Sequence, residues 1–220
     1  MSFVLLLQLV GEATGQTLLM LLLSTLCSLA LGFPLGVLLC VTDPALGIAP
    51  RPLAHQLLTR LVNTLRSFPF IILMILLFPL ARWLVGTSIG TVATVVPLAI
   101  AAAPFVARII ETALQEVDRG VIQAARAMGS SNWQIVRKVL LPEAWPALVS
   151  GITLTIINLI GYSAMAGAIG GGGLGDLAIR YGYQRFRPEV MAAAVLVILL
   201  LVELIQFIGS RLSAAFLSRR

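Results

Sequence analysis

Charge is scarce in this chain of 220 residues: Asp, Glu, Lys and Arg make up 11% of it, aromatic residues 7%, and it has one histidine and two cysteines. With 59% hydrophobic residues and a mean hydropathy of +1.02, the chain holds more apolar surface than a soluble core of ordinary composition can hide. Lipid has to be the solvent. No second His or Cys stands near His55 with ligand spacing, so His55 reads as a solvated loop residue and no metal site is expected. Cys27 and Cys40 lie in one apolar run, roughly 20 Å apart if that run is helical, too far to bridge. They read as small apolar fillers. Basic residues outnumber acidic ones, 15 to 9, but the arginines are confined to connections between apolar runs, which makes them a topology signal and excludes a nucleic-acid reading.

A membrane helix needs about 20 mostly apolar residues. Runs of that kind fall at 17–41, 61–80, 89–110, 147–169 and 190–210, giving an all-α integral membrane protein of five spans in a single domain, 1–220. The first run has no positive leader and is too long and Leu-rich for a cleaved signal, so it stays as a span. No Lys or Arg precedes Arg51. Eleven basic residues then fall on one side: Arg51, Arg60 and Arg66, then Arg108, Arg119, Arg126, Arg137 and Lys138, then Arg211, Arg219 and Arg220. The other side has Arg82, Arg180, Arg185 and Arg187. The positive-inside rule therefore puts the N-terminus outside and the C-terminus in the cytoplasm. Prolines at Pro34, Pro69, Pro79, Pro97 and Pro104 predict bent helices around a cavity.

The connection 117–142 is too polar to span and too patterned to be floppy. At about 100° per residue, Val121, Ala124, Ala125 and Met128 share one face of a short helix, opposite Arg119, Gln123 and Arg126. Gly129 follows as a stop. Ser131 and Gln134 form a capping box that starts a second helix, whose apolar positions Ile135, Val136, Val139 and Leu140 lead to Pro142. Without a partner this would be an interfacial amphipathic hairpin.

The hairpin's spacing resembles the loop of the ABC importer permeases, E-A-A, three residues, G, nine residues, I, one residue, L-P. Here it stands as Gln123-Ala124-Ala125, Gly129, Val139 and Leu141-Pro142, with Gln123 in place of the family's Glu and Val139 in place of Ile. Longer stretches, Arg66-Ser67-Phe68-Pro69-Phe70-Ile71-Ile72, Val85-Gly86-Thr87-Ser88-Ile89-Gly90, Ala102-Ala103-Pro104-Phe105-Val106-Ala107-Arg108, Ile135 to Ala144 and Gly161-Tyr162-Ser163-Ala164-Met165, are similar to the permeases of methionine ABC importers. The resemblance implies a homodimer in a bacterial inner membrane and methionine as substrate. It also implies two ATPase subunits, carrying ATP and Mg, docked through Gln123, Ala124, Ala125, Met128, Gly129, Val139, Leu141 and Pro142 of a cytoplasmic coupling helix and its turn. An external binding lipoprotein would deliver the substrate. A permease for a polar amino acid or quaternary amine, or a membrane scaffold without transport, stays open.

Other features have a functional and a plain reading. Gly170 to Gly173 with Gly175 contains G-x-G-x-x-G, yet follows an apolar run instead of a strand, so it reads as a pliable external turn and no nucleotide site. Tyr181, Tyr183 and Phe186 beyond it face the binding protein or form an interfacial aromatic belt. Gly161-Tyr162-Ser163-Ala164 has no catalytic base at hand, so no enzyme is expected; Tyr162, Ser163, Met165 and Asn158 are gate or pathway candidates against plain packing. Glu203 is left unassigned.

Overall fold

The computed structural model describes residues 3–217, so Arg219 and Arg220 of the charge count lie outside the described residues. Every regular element among the described residues is a helix. Among the described residues, four helices are long and apolar enough to cross a membrane, five if a sharply bent pair counts as one span.

Helix α1 runs from Phe3 to Thr42, with Pro34 inside it. It packs along α5, Thr91–Gln115, because α1 is trimmed to glycine where the two touch. A Cβ on Gly32 would meet the Ala103 carbonyl oxygen at 2.5 Å, and one on Gly36 the Ala107 oxygen at 2.5 Å. Glycines four apart thus bring the backbones together, a packing that lipid-embedded helices depend on because lipid supplies no hydrophobic drive between them. Helix α5 is the centre of the subunit: 67% of its most apolar window is buried, against 6% for α10, Pro188–Leu217.

The apolar run 61–80 is divided. Helix α2, Pro52–Ser67, meets α3, Phe70–Leu76, at a bend of 100°, and α4, Phe78–Val85, follows after Leu77. Pro69 is the cause. It pushes the preceding Phe68 into extended backbone, φ −71° and ψ 131°, which no helix passes through. Gly86, at φ +84°, ends α4.

Helix α6, Arg119–Ala127, and α7, Asn132–Ile135, form a hairpin, but α7 does not stop at Pro142. A π-helical turn over Val136–Leu140 joins it to α8, Leu141–Gly167, so one helix of 36 residues leads from the hairpin into the apolar run. The wider turn accommodates a proline with no N–H to give.

The turn 170–173 is packed, not pliable. Gly170, Gly172 and Gly173 have φ of +85°, +79° and +78°, conformations open to glycine. The Gly173 N–H donates to Gln16 Oε1 at 2.8 Å and the Leu174 N–H to Thr17 Oγ1 at 2.9 Å, fastening the turn to α1. Helix α9, Gly173–Leu177, and a second π-helical turn, Ala178–Tyr183, complete the chain to α10.

The core forms layers along the bundle. Leu174, Leu177, Val190 and Ala13 pack at the α9 end, Met20, Leu98, Leu159 and Ile160 in the middle, and Ile110, Leu114, Ile135, Leu140 and Leu148 at the hairpin end.

Candidate functional site

A groove runs along one side of α5, walled by the α2–α3 bend and α8. Its wider part, about 410 Å³, is lined by Arg66, Phe105, Arg108, Ile109, Thr112, Ala113, Glu116, Ala147 and Gly151. A second part, about 240 Å³, is lined by Leu65, Arg66, Phe68, Phe70, Leu73, Ala101, Phe105, Asn158 and Tyr162. Arg66 and Phe105 belong to both, the guanidinium 6.0 Å from the ring centroid, so the two parts meet at a cation over an aromatic face. The bend at Phe68-Pro69 turns Phe70 back onto Tyr162: their rings stack with centroids 4.5 Å apart and planes 6° from parallel. The groove's narrower part therefore carries aromatic walls, one neutral amide and one cation.

Of the pathway candidates, Tyr162 and Asn158 line this groove. Ser163 does not: it is buried, and its hydroxyl donates to the Ile160 carbonyl at 2.8 Å, one turn back in its own helix. Met165 lines neither part and stands 48% exposed on the outside of the subunit. Glu203 is exposed on α10.

The hairpin is a rigid unit. Asp118 Oδ1 accepts from the Gly120 N–H at 2.6 Å to start α6. Gly129, at φ +79°, lets the Ser130 N–H return to the Ala125 carbonyl at 3.1 Å, closing the helix end. The capping box forms, Ser131 N–H donating to Gln134 Oε1 at 2.8 Å and Gln134 N–H to Ser131 Oγ at 3.3 Å. Arg126 donates to the Ile48 carbonyl, tying α6 to the α1–α2 connection.

The face drawn from the sequence is split by the fold. Ala125, 4% exposed, turns inward with Ile122 onto Val117, Ile135, Val136 and Leu140, whereas Val121, Ala124 and Met128 are exposed, as is Trp133 in α7. Neighbouring residues on a helix are about 100° apart, and the inward edge of the apolar sector falls between the two alanines. Ala125 is thus a core residue and not part of an exposed contact. Val139 and Leu141 pack against the same core, and Gln123, Gly129 and Pro142 are exposed. Met128 is 79% exposed and Trp133 68%, large apolar groups left uncovered by a hairpin that is otherwise well packed.

His55 is not a solvated residue. Its Nδ1–H donates to the Leu39 carbonyl at 3.1 Å, and Asp43 and Glu111 lie beside it. Sequence reading also passed over Arg66, Phe105 and Trp133 as functional positions. Their signals were present: a lone arginine two residues before a Phe-Pro pair at a span's edge, and a tryptophan in a polar connection.

The family model described as binding-protein-dependent transport system inner membrane component matches residues 32–220. The Vibrio cholerae protein named "Probable D-methionine transport system permease protein MetI" is 49% identical over 200 residues, 91% of this chain and 88% of that one. The Bacillus subtilis methionine import system permease protein MetP is 51% identical over 155 residues, 70% of each chain. A solved structure of the MetNI methionine ABC transporter in an inward-facing conformation superposes with a TM-score of 0.95 at 46% identity, covering 98% of this chain and 99% of that one. A family match over most of its length, on a helical chain with an aromatic groove and a packed hairpin, means that this chain belongs to the binding-protein-dependent transport system inner membrane components.

Proposed function

We propose that this chain is the permease subunit of an ATP-driven importer and forms, as a pair of copies, the membrane pathway for methionine. The observation that carries the reading is the likeness over nearly the full length, at 46% identity and a TM-score of 0.95, to the subunit of a methionine transporter. Residues 1–220 act as one transmembrane domain of five crossings, with α2 and α3 together taken as the second. The N-terminus lies outside and the C-terminus in the cytoplasm, as the arginine distribution requires.

Two ATPase subunits, which hold ATP and Mg, dock on the hairpins, each through the exposed Val121, Ala124 and Met128 of α6 and the exposed Trp133 of α7. Because Ala125 and Ile122 lock α6 to the foot of α5 and α8, a rotation imposed on the hairpin is transmitted to the groove. Gln123 in place of the family's Glu leaves a neutral hydrogen bond where a charge pair would stand. The chain performs no covalent chemistry; its work is to open a path on one side and close it on the other.

The groove suits a neutral thioether amino acid. Phe70, Phe105 and Tyr162 offer ring faces to an apolar, polarisable sulfur, Asn158 offers an amide to a zwitterion, and Arg66 a cation to its carboxylate. Selection among amino acids falls mainly to the external lipoprotein. The test is competition in membrane vesicles carrying permease, ATPase and binding protein. Unlabelled methionine should abolish labelled methionine uptake, while excess glycine betaine or arginine should leave it unchanged; inhibition by those two would favour a permease for another small solute.

A further inference from the structure

We propose that Asp43, His55 and Glu111 form a binding site for one divalent transition-metal ion per subunit. The three come from separate elements: the turn after α1, the first turns of α2, and the last third of α5. One ligand atom from each lies within 4.8 Å of the other two, with His55 Nε2 3.9 Å from Asp43 Oδ2. Metal–ligand bonds of about 2.1 Å place neighbouring donors roughly 3 to 3.5 Å apart, so the cluster needs to contract by about an ångström, within the reach of side-chain rotation.

Each of the three has one atom firmly held by a partner outside the cluster and a second atom held weakly or not at all. A carbonyl can only accept, so the 3.1 Å contact with Leu39 puts a proton on Nδ1, and a neutral ring so held presents its Nε2 lone pair, the arrangement of a ligating histidine held by a backbone carbonyl. Thr59 Oγ1, 3.4 Å from Nε2, is a weak and displaceable neighbour. Asp43 Oδ1 accepts from the Ala45 and Leu46 N–H groups, both at 2.7 Å, which fixes the carboxylate; Oδ2 receives a long 3.3 Å contact from Gln115 Nε2. Arg108 holds Glu111 Oε2 at 2.6 Å and leaves the carboxylate its second oxygen.

Charge points the same way. With a neutral imidazole, two carboxylates and one guanidinium leave the cluster one negative charge, and the Glu111 side chain is 6% exposed. A divalent ion would be attracted to that charge and would take the cluster from one negative to one positive charge, where water reaches poorly. One imidazole with two carboxylates suits borderline ions such as Zn²⁺, Mn²⁺ or Co²⁺. Bound there, the ion would staple α2, and with it the groove wall, to α1 and α5.

The test uses the permease co-purified with its ATPase through a histidine-free tag, stripped with EDTA and equilibrated with Zn²⁺. After gel filtration, wild type should retain one more zinc per permease subunit than His55→Gln, and Asp43→Asn, which keeps the oxygen that caps Ala45 and Leu46, should bind at least tenfold more weakly. Equal zinc in wild type and His55→Gln overturns the site and leaves a network bound by protons alone. Should the variants fail to assemble, Co²⁺ titration of the wild-type complex decides: visible absorption beyond that of the ATPase alone, displaced by Zn²⁺, supports the site, and its absence refutes it.

Discussion

The same substitution at two adjacent alanines should fail in two different ways. Ala125 is 4% exposed against Ile135, Val136 and Leu140, so Ala125→Glu drives a carboxylate with no partner into a packed core. Burying an unpaired charge costs several kcal/mol even after relaxation, a large share of the roughly 5–15 kcal/mol that holds a typical domain together. The isolated permease should lose thermal stability, and ATPase binding would fall only as a consequence. Ala124 faces outward, so Ala124→Glu leaves the subunit intact, since surface changes of this kind stay within about 0.5 kcal/mol. Its carboxylate would instead be desolvated when an ATPase covers the face. About 3 to 4 kcal/mol lost there is a weakening of roughly 150- to 1,000-fold. The assay pairs a melting curve of the purified permease with titration of the ATPase onto it. An Ala124→Glu permease that binds the ATPase within threefold of wild type sinks the docking face, and an Ala125→Glu permease with an unchanged melting temperature sinks the packing described for α6.

Gly129 has φ +79° with nothing near its missing Cβ, so Gly129→Ala should cost only the backbone strain, about 1 kcal/mol, and Gly129→Asn less; equal losses for both would show that the left-handed turn is not what Gly129 supplies. Gly36→Leu has no such latitude, because the Ala107 carbonyl already lies 2.5 Å from the first added carbon: the folded permease should not be recovered in detergent, and normal recovery would contradict the α1–α5 contact. Tyr162→Leu removes a stacked pair worth about 0.5–1.5 kcal/mol from the groove wall and should alter substrate uptake while leaving ATPase binding unchanged, a result that separates groove from hairpin. In a background without Cys27 and Cys40, Asp176→Cys should label with an impermeant thiol reagent from outside and Ser130→Cys only after permeabilisation; the reverse pattern would invert the topology.

Hydropathy made the all-helical membrane class legible because it depends on sums over twenty residues, and such sums tolerate local error. The same averaging hid the division of the run 61–80: a 100° bend changes no residue's hydropathy, and only the Phe68-Pro69 pair marks it. The hairpin was readable where one residue decides the outcome, as with the Ser131–Gln134 box and the Gly129 turn. Assigning Ala124 and Ala125 to faces needed the position of the core around α6, which depends on Ile48, Leu114 and Leu140, all outside α6. A hydroxyl in an apolar run suggests a pathway, but Ser163 is buried and its own helix satisfies it through the Ile160 carbonyl. The cluster around His55 was beyond reach for a similar reason: Asp43 and Glu111 stand twelve and fifty-six positions away, and only the crossing of α1 and α5 brings them together.

The central claim is tested most directly by methionine accumulation in proteoliposomes containing the permease and its ATPase, with binding protein on the outside and ATP within. The account requires labelled methionine to accumulate above its external concentration when ATP is present, and to stop doing so when the ATPase is hydrolysis-deficient or when the permease has Ala124→Glu. Accumulation of a polar amino acid or quaternary amine with none of methionine, or methionine entry indifferent to ATP, would contradict it.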